Sequence, residues 1–270
     1  STLDGTLFPY TTLFRSVDLP KPASTVVLVR DAVGSAAHLE VLMVRRSSGM
    51  AFGASAWVFP GGKVAPSDAD PAWDELSDGN YDHYERSLRI AAAREVFEES
   101  GLLLVTRDGR ELDAAGSAAF DAMRGVVEAD PSLLIKLARD AGLRLTLDRL
   151  IPFAHWITPS FEPRRFDTHF FLVHAPADQV VRHDGREAVD HAWVAPQDLL
   201  DRRKRGEAKL MFPTRLNLEV LARSPNAAAA VTAARAQKVV TVEPRVEDRA
   251  DGKVLIIPAE AGYGLTEERM

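Results

Sequence analysis

The chain has 270 residues, 46% of them hydrophobic and 27% charged, with a net charge of −6 and no cysteine. Those values fit one generous soluble domain or two small ones. They exclude disulfides, thiolate metal sites and cysteine nucleophiles, and the acidic balance argues against a general nucleic-acid or membrane-surface binder.

Residues 1–16 contain TLFPYTTLFRS, which has no amphipathic period and resembles a translated sequencing-adapter fragment; a non-native or disordered leader is expected there. STVVLVRD (24–31) and HLEVLMVRR (38–46) predict two Val- and Leu-rich strands across a glycine turn. AWVFPGGKV (56–64) predicts a short strand ending in a Pro-Gly-Gly turn. The acidic, Pro- and Gly-punctuated stretch 65–84 predicts a loop with one helical turn. A helix follows from about Glu85 to Ser100, with Leu88, Ala92 and Val96 as its apolar stripe and Gly101 as its stop.

LLLVTRD (102–108) predicts a strand, and 113–143 two helices broken at Pro131. Strands are expected at 150–158, 165–175 and 187–196. Amphipathic helices follow at PQDLLDRRKR and PTRLNLEVLARS, then an Ala-rich one near 226–236. The tail predicts a hairpin around Asp251-Gly252. The mixture predicts an α/β (α+β) sandwich built on one sheet.

Within AAAREVFEESGLLL (91–104), Glu95, Glu98 and Glu99 have the i, i+3, i+4 spacing of one helix face. Three carboxylates there need a positive partner, and a hard divalent cation such as Mg²⁺ takes oxygen ligands. Their place near the helix's C-terminal end, where the dipole disfavours negative charge, points to function rather than stability. Arg94 can pair with a carboxylate or steady the helix.

REVFEESGL (94–102) matches R-E-U-x-E-E-x-G-U, the second half of the Nudix box, with Val96 and Leu102 at the bulky apolar positions, and FPGGK (59–63) resembles its start. The chain therefore resembles the Nudix hydrolase superfamily. One departure is that Arg94 lies 32 positions beyond Gly62, 18 more than the family's usual spacing. The box's middle glutamate then falls on Arg86, with Glu85 one position off. A lengthened loop is a cheap change, and the long insertion, with WITPSFEPRRFDTHFF (156–171), resembles the coenzyme A diphosphatase branch of the superfamily.

The resemblance implies an α/β/α sandwich with a mixed sheet, one Nudix hydrolase domain over 17–270 and a helical insertion at about 113–143 that roofs the site. It implies hydrolysis of a nucleoside diphosphate linked to another group. Coenzyme A or acyl-CoA is the leading expectation; ADP-ribose, NADH or another nucleotide, or a non-catalytic nucleotide sensor, are the alternatives. The metal ligands implied are Glu95, Glu98 and Glu99, with Mg²⁺ or Mn²⁺, and the carbonyl of Gly61 or Gly62 completing the set. Arg94, Glu98, Glu99 and Glu187 are the catalytic candidates, with Glu98 or Glu187 as base. Residues 42–62 lie without gaps on the coenzyme A-associated motif, which brings in Arg46 and Phe59, although Ala51 replaces its second arginine and Ser55 its glycine. Arg164 and Arg165 offer forked donors for phosphate, or are exposed strand-end charges. His155, His169, His174 and His191 show no pair at a metal-ligand spacing, so no zinc site is expected. The expected partner is a small nucleotide, with neither nucleic acid nor membrane, and a homodimer is allowed for. No apolar run approaches the roughly 20 residues that span a bilayer, so a cytoplasmic location is expected.

Overall fold

A computed structural model of the chain describes residues 19–49 and 53–270. The expected leader, 1–16, and Ala51 lie outside the described residues.

Strands β1 (Lys21–Ala32) and β2 (Ser35–Arg46) form an antiparallel hairpin. Its turn holds Gly34 at a φ of 82°, which glycine adopts without strain. In β1, Val26 and Leu28 face one core while Val27 and Val29 face another, all fully buried. Burial on both faces is why this strand is a continuous apolar run and not an alternating one. Strands β3 (Trp57–Val58) and β4 (Gly61–Lys63) hang on β2 and β1, respectively.

After a 3₁₀ turn (Pro66–Ala69) and the short helix α1 (Trp73–Leu76) comes α2 (His83–Ser100). Asp82 caps α2 by accepting from the Glu85 N–H, and Gly101 ends it at a φ of 74°. Leu88, Ile90, Ala92, Val96 and Phe97 press α2 on the sheet.

Strands β5 (Val105–Arg107) and β6 (Arg110–Glu111), helices α3 (Ala114–Ala118), α4 (Arg124–Ala129) and α5 (Leu133–Asp140), and strand β7 (Leu143–Leu145) follow. Two sequence expectations are corrected here. The 102–108 strand shrinks to β5 and joins β6 and β7 in a small separate sheet, because Leu102, Leu103 and Leu104 are buried in the core outside any ladder. The 113–143 segment holds three short helices, not two. Leu134, Ile135 and Ala138 bury into the core that α2 shares.

The main sheet then gains β8 (Ile151–Ile157), β9 (Phe166–His174) and β10 (Ala188–Val194). Helices α6 (Pro196–Lys204), α7 (Phe212–Leu221) and α8 (Ala227–Ala236) cover its other face through Leu199, Leu216, Leu218 and Ala230. With β11 (Thr241–Val242), the order is β10-β2-β1-β9-β8-β11, parallel at β1–β9 and β8–β11 and antiparallel elsewhere. Helices on both faces of a mixed sheet make the expected α/β/α sandwich.

The C-terminal hairpin forms as β12 (Arg245–Arg249) and β13 (Gly252–Ile256), and β14 (Glu267–Arg269) widens it to a three-stranded sheet. Side chains of α7 and of the residue pair after it dock this segment. Arg223 donates to the Gly262 and Tyr263 carbonyls, Arg215 pairs with Glu268, and the Tyr263 hydroxyl donates to Asn217 at 2.9 Å. Among the described residues no helix is long and apolar enough to cross a membrane.

Candidate active site

Helix α2 carries the three glutamates to where β4 passes. The Gly61 N–H donates to Glu99 Oε2 at 3.0 Å. A Cβ on Gly62 would lie 2.4 Å from Glu95 Oε1, so only glycine lets that carboxylate sit there. Gly61 is tighter still against backbone: a Cβ would meet the Ser24 carbonyl at 2.4 Å and Thr25 Cα at 2.7 Å. The Pro-Gly-Gly turn is thus a close approach of two backbones and a carboxylate.

Arg94 is buried in the middle. Its Nη1 donates to Glu95 Oε1 (2.9 Å) and Glu98 Oε1 (3.0 Å). Nε and Nη2 form a fork on Asp68, each at 3.0 Å, and Nη2 also reaches the Lys63 carbonyl at 2.7 Å. All five guanidinium N–H groups are therefore used within the protein. The catalytic expectation for Arg94 is corrected to a positioning one: it locks α2 to β4 and to the 3₁₀ turn, with no donor left for a ligand. Asp68, 1% exposed, also accepts from the Ala65 N–H. It lies in the stretch read as an acidic loop, and no local pattern marks it. The signal that could have found it is Arg94's need for a second buried anion.

Burial drives the proton affinity of this cluster. It pushes the Glu95 carboxyl up to about 7, with Arg94 opposing and Glu98 adding to the rise. Burial also raises Glu98, against Arg94. Glu99 is held well above the usual carboxylate range by burial and then by the Glu95 charge, opposed by the Gly61 N–H and by Arg46. Glu95 Oε2, Glu98 Oε2 and Glu99 Oε1 keep a coordination position each. One arginine does not neutralise three buried carboxylates, and this donor set fits a hard divalent cation.

A second arginine, not predicted from the sequence, explains how the charges are tolerated at the helix end. Arg124 of α4 donates from Nε to the Phe97 carbonyl (3.1 Å) and from Nη2 to the Glu98 carbonyl (2.8 Å). It caps the last turn with a cation where the dipole asks for one. The helical insertion supports the catalytic helix from behind. Of its residues only Glu128 lines the cavity, so the expectation that it roofs the site is corrected.

The cavity has a volume of about 790 Å³. Beside β4 its wall is ionic: Glu95, Glu98, Glu99, Lys63 and Arg46, with Asp184 and Glu187. Towards β8 and β9 it is mainly apolar: Trp156, Phe161, Phe166, Phe170, Met211 and Phe212, with Leu255 and Met270 from the C-terminal segment, interrupted by Glu162 and Arg164 of the β8–β9 connection. Phe59 joins the walls, edge-on to Phe170 with centroids 6.4 Å apart. Trp156 is fixed by its Nε1–H, which donates to the Tyr263 hydroxyl at 2.8 Å.

The remaining expected residues divide. Arg46 lines the cavity, and its Nε is buried without a hydrogen-bond partner. Ser55, where the coenzyme A-associated motif has glycine, keeps a left-handed φ of 61°. Glu187 lies on the cavity wall just before β10, where its N–H and that of Ala188 are both held by Asp184. Arg164 lines the cavity. Arg165 does not: its Nε donates to the Thr158 carbonyl and its Nη2 to Glu243, so it ties down the β8–β9 connection. His155 and His169, which sequence spacing kept apart, stack face to face.

Comparison with known proteins agrees with this geometry. The chain matches the NUDT19 Nudix domain over residues 82–221 and the NUDIX domain over residues 20–124. It is 27% identical over 205 residues to the acyl-coenzyme A diphosphatase NUDT19 of Xenopus laevis, covering 60% of this chain and 54% of that one. It is 31% identical over 173 residues to the putative nudix hydrolase 7 of Caenorhabditis elegans, covering 64% and 52%. The chain thus spans about half the length of these relatives. The crystal structure of a NUDIX hydrolase from Alicyclobacillus acidocaldarius superposes with a TM-score of 0.69 at 31% identity, covering 79% of this chain and 96% of that one. Box residues, buried carboxylate cluster and matched domain models together make this chain a member of the Nudix hydrolase family, within reach of its NUDT19 branch.

Proposed function

We propose that this protein hydrolyses the diphosphate of coenzyme A or acyl-CoA, releasing adenosine 3′,5′-bisphosphate and (acyl-)phosphopantetheine, with Mg²⁺ or Mn²⁺, in the cytoplasm. The observation that carries the reading is a single cavity with two unlike walls, ionic at the α2 glutamates and apolar at β8, β9 and the C-terminal segment. A diphosphate needs the first and an acyl-pantetheine arm fits the second. The name of the Xenopus laevis relative supports the same substrate class.

In this reading Glu95, Glu98 and Glu99 hold the cation, with a carbonyl of Gly61 or Gly62. When bound, a divalent cation neutralises charge on the diphosphate oxygens and makes water a better nucleophile. Water oxygen bonds to phosphorus as the bond to the bridging oxygen breaks, and the water's proton passes to a carboxylate. Glu98 suits that task where Glu95 and Glu99 alone hold the cation. Its Oε1 is held by Arg94 while Oε2 is left to accept, and burial raises its proton affinity. Glu187 is the other candidate. Arg46 and Arg164 face the substrate's phosphates, and Arg94 with Asp68 keeps the carboxylates in register.

Product analysis with Mg²⁺ tests this on coenzyme A, an acyl-CoA, ADP-ribose, NADH and a nucleoside triphosphate. Adenosine 3′,5′-bisphosphate should form fastest from the CoA substrates and fall by about 100-fold or more in Glu99→Gln. Faster cleavage of ADP-ribose or NADH would keep the hydrolase and discard the CoA assignment. Tight binding of a nucleotide with no turnover would replace the enzyme with a sensor.

A further inference from the structure

A second cluster of ligand-type side chains lies apart from the cavity, against the first turn of α2. His155 on β8 and His169 on β9 are direct cross-strand partners. Their rings stack with centroids 4.0 Å apart and planes 21° from parallel. Asp167 precedes His169 by two residues, so both point to the same face of β9. Asp167 Oδ1 is hydrogen-bonded to His155 Nε2 and lies 3.7 Å from His169 Nε2. One ligand atom from each of the three lies within 4.8 Å of the other two.

The surroundings are those of a built site. Thr241, the register partner of His155 on β11, meets His155 Nδ1 at 2.7 Å. With an ion in place of the proton between His155 Nε2 and Asp167, that hydroxyl would accept from Nδ1–H and hold the tautomer whose Nε2 lone pair faces the metal, the usual support of a metal-ligating histidine. Tyr84 of α2 lies edge-on to His169, with centroids 6.1 Å apart, and burial, then the Asp167 charge, raises the proton affinity of its hydroxyl. The three side chains keep between 16% and 26% exposure, which leaves an entry path and room for a water. None of the three lines the cavity, whereas their strand neighbours Trp156, Phe166, Thr168 and Phe170 do.

Two imidazoles and one carboxylate suit a borderline d-block ion of the zinc class better than Mg²⁺, which prefers oxygen throughout. A tetrahedral ion with bonds of about 2.0–2.1 Å sets its ligand atoms roughly 3.3 Å apart, and the three atoms here lie within 4.8 Å of one another.

We propose that His155, Asp167 and His169 form a second metal site, for Zn²⁺ or a similar ion, separate from the glutamate cluster. The ion joins β8 to β9 and, through Thr241 and Tyr84, reaches β11 and the start of α2. It is a structural tie beneath the strands whose opposite face forms the apolar wall of the cavity.

Titration of the full chain with Co²⁺, in excess Mg²⁺ to occupy the glutamates, tests this. One equivalent should give the visible absorption bands of a four-coordinate, nitrogen-ligated ion, and Zn²⁺ should displace it. His169→Asn should weaken binding by about 100-fold or more, and Thr241→Val by about 10- to 100-fold. Glu95→Gln and Glu99→Gln should leave it unchanged. Absence of those bands in the wild-type chain, or bands that survive His169→Asn and vanish in Glu99→Gln, would overturn the site. X-ray absorption on the zinc-loaded wild-type chain needs no variant: two imidazole ligands support the proposal and an all-oxygen shell refutes it.

Discussion

The two walls of the cavity are built by opposite strategies. The ionic wall centres on two short stretches, 59–63 and 94–99, locked together by one arginine, one glycine pair and a buried aspartate, and joined by Arg46, Asp184 and Glu187. The apolar wall is gathered from β8, β9, the start of α7 and the last strands, up to about a hundred residues apart in sequence. Chemistry at a cation demands fixed oxygen positions, so its wall is local, rigid and recognisable. Accommodation of a long flexible arm demands only shape and apolar surface, so its wall is dispersed and free to vary.

Substitutions can break that contrast. Asp68→Ala should have the largest effect, because it leaves Arg94 buried with one anion fewer behind the ionic wall. A stability loss of about 3 kcal/mol is expected, read by denaturant titration, with activity falling alongside. Gly62→Ala should fold with nearly wild-type stability, since the nearest atoms to its new methyl are the movable end of Glu95, yet lose about 10- to 100-fold in kcat. Gly61→Ala is the control: its methyl strikes the backbone of β1, so it should cost about 1–3 kcal/mol of stability as well. On the apolar wall, Phe161→Ala should raise KM for a long acyl-CoA by about tenfold and leave free coenzyme A almost unchanged. Equal effects on both substrates would show that the wall does not select the arm.

The smallest effect is one of pH. Burial lifts the folded-state value for Glu95 from 4.5 to about 7, so the metal-free folded chain binds that proton more tightly than the unfolded chain does. The resulting stability is fully present below about pH 4.5 and is lost as pH rises through about 7. The metal-free Tm should therefore fall less between pH 5 and pH 8 in Glu95→Gln than in wild type, by a few degrees in scanning calorimetry.

The same contrast explains what could be known from sequence. The α2 glutamates, the Gly61-Gly62 turn and the strand pairs of the main sheet follow from local spacing, and they were legible. Asp68 and Arg124 were not, since each is defined by a partner 26 residues or more away. Arg164 and Arg165 could not be told apart, because a forked donor at a strand end is equally suited to a phosphate or to a carboxylate, and only the fold brings Glu243 near Arg165. His155 and His169 escaped because a cross-strand pair has no characteristic sequence spacing. The insertion at 113–143 was seen as helical, but its side of α2 could not be deduced, and it turned out to lie behind the helix.

The most direct test of the two-wall account is a kinetic comparison of coenzyme A with a long acyl-CoA, in wild type, Glu99→Gln and Phe161→Ala, at saturating Mg²⁺. The account predicts that Glu99→Gln lowers kcat for both substrates by a similar factor of about 100 or more, while Phe161→Ala changes KM for the acyl-CoA alone. Full activity in Glu99→Gln, or loss of kcat on both substrates in Phe161→Ala, would contradict it.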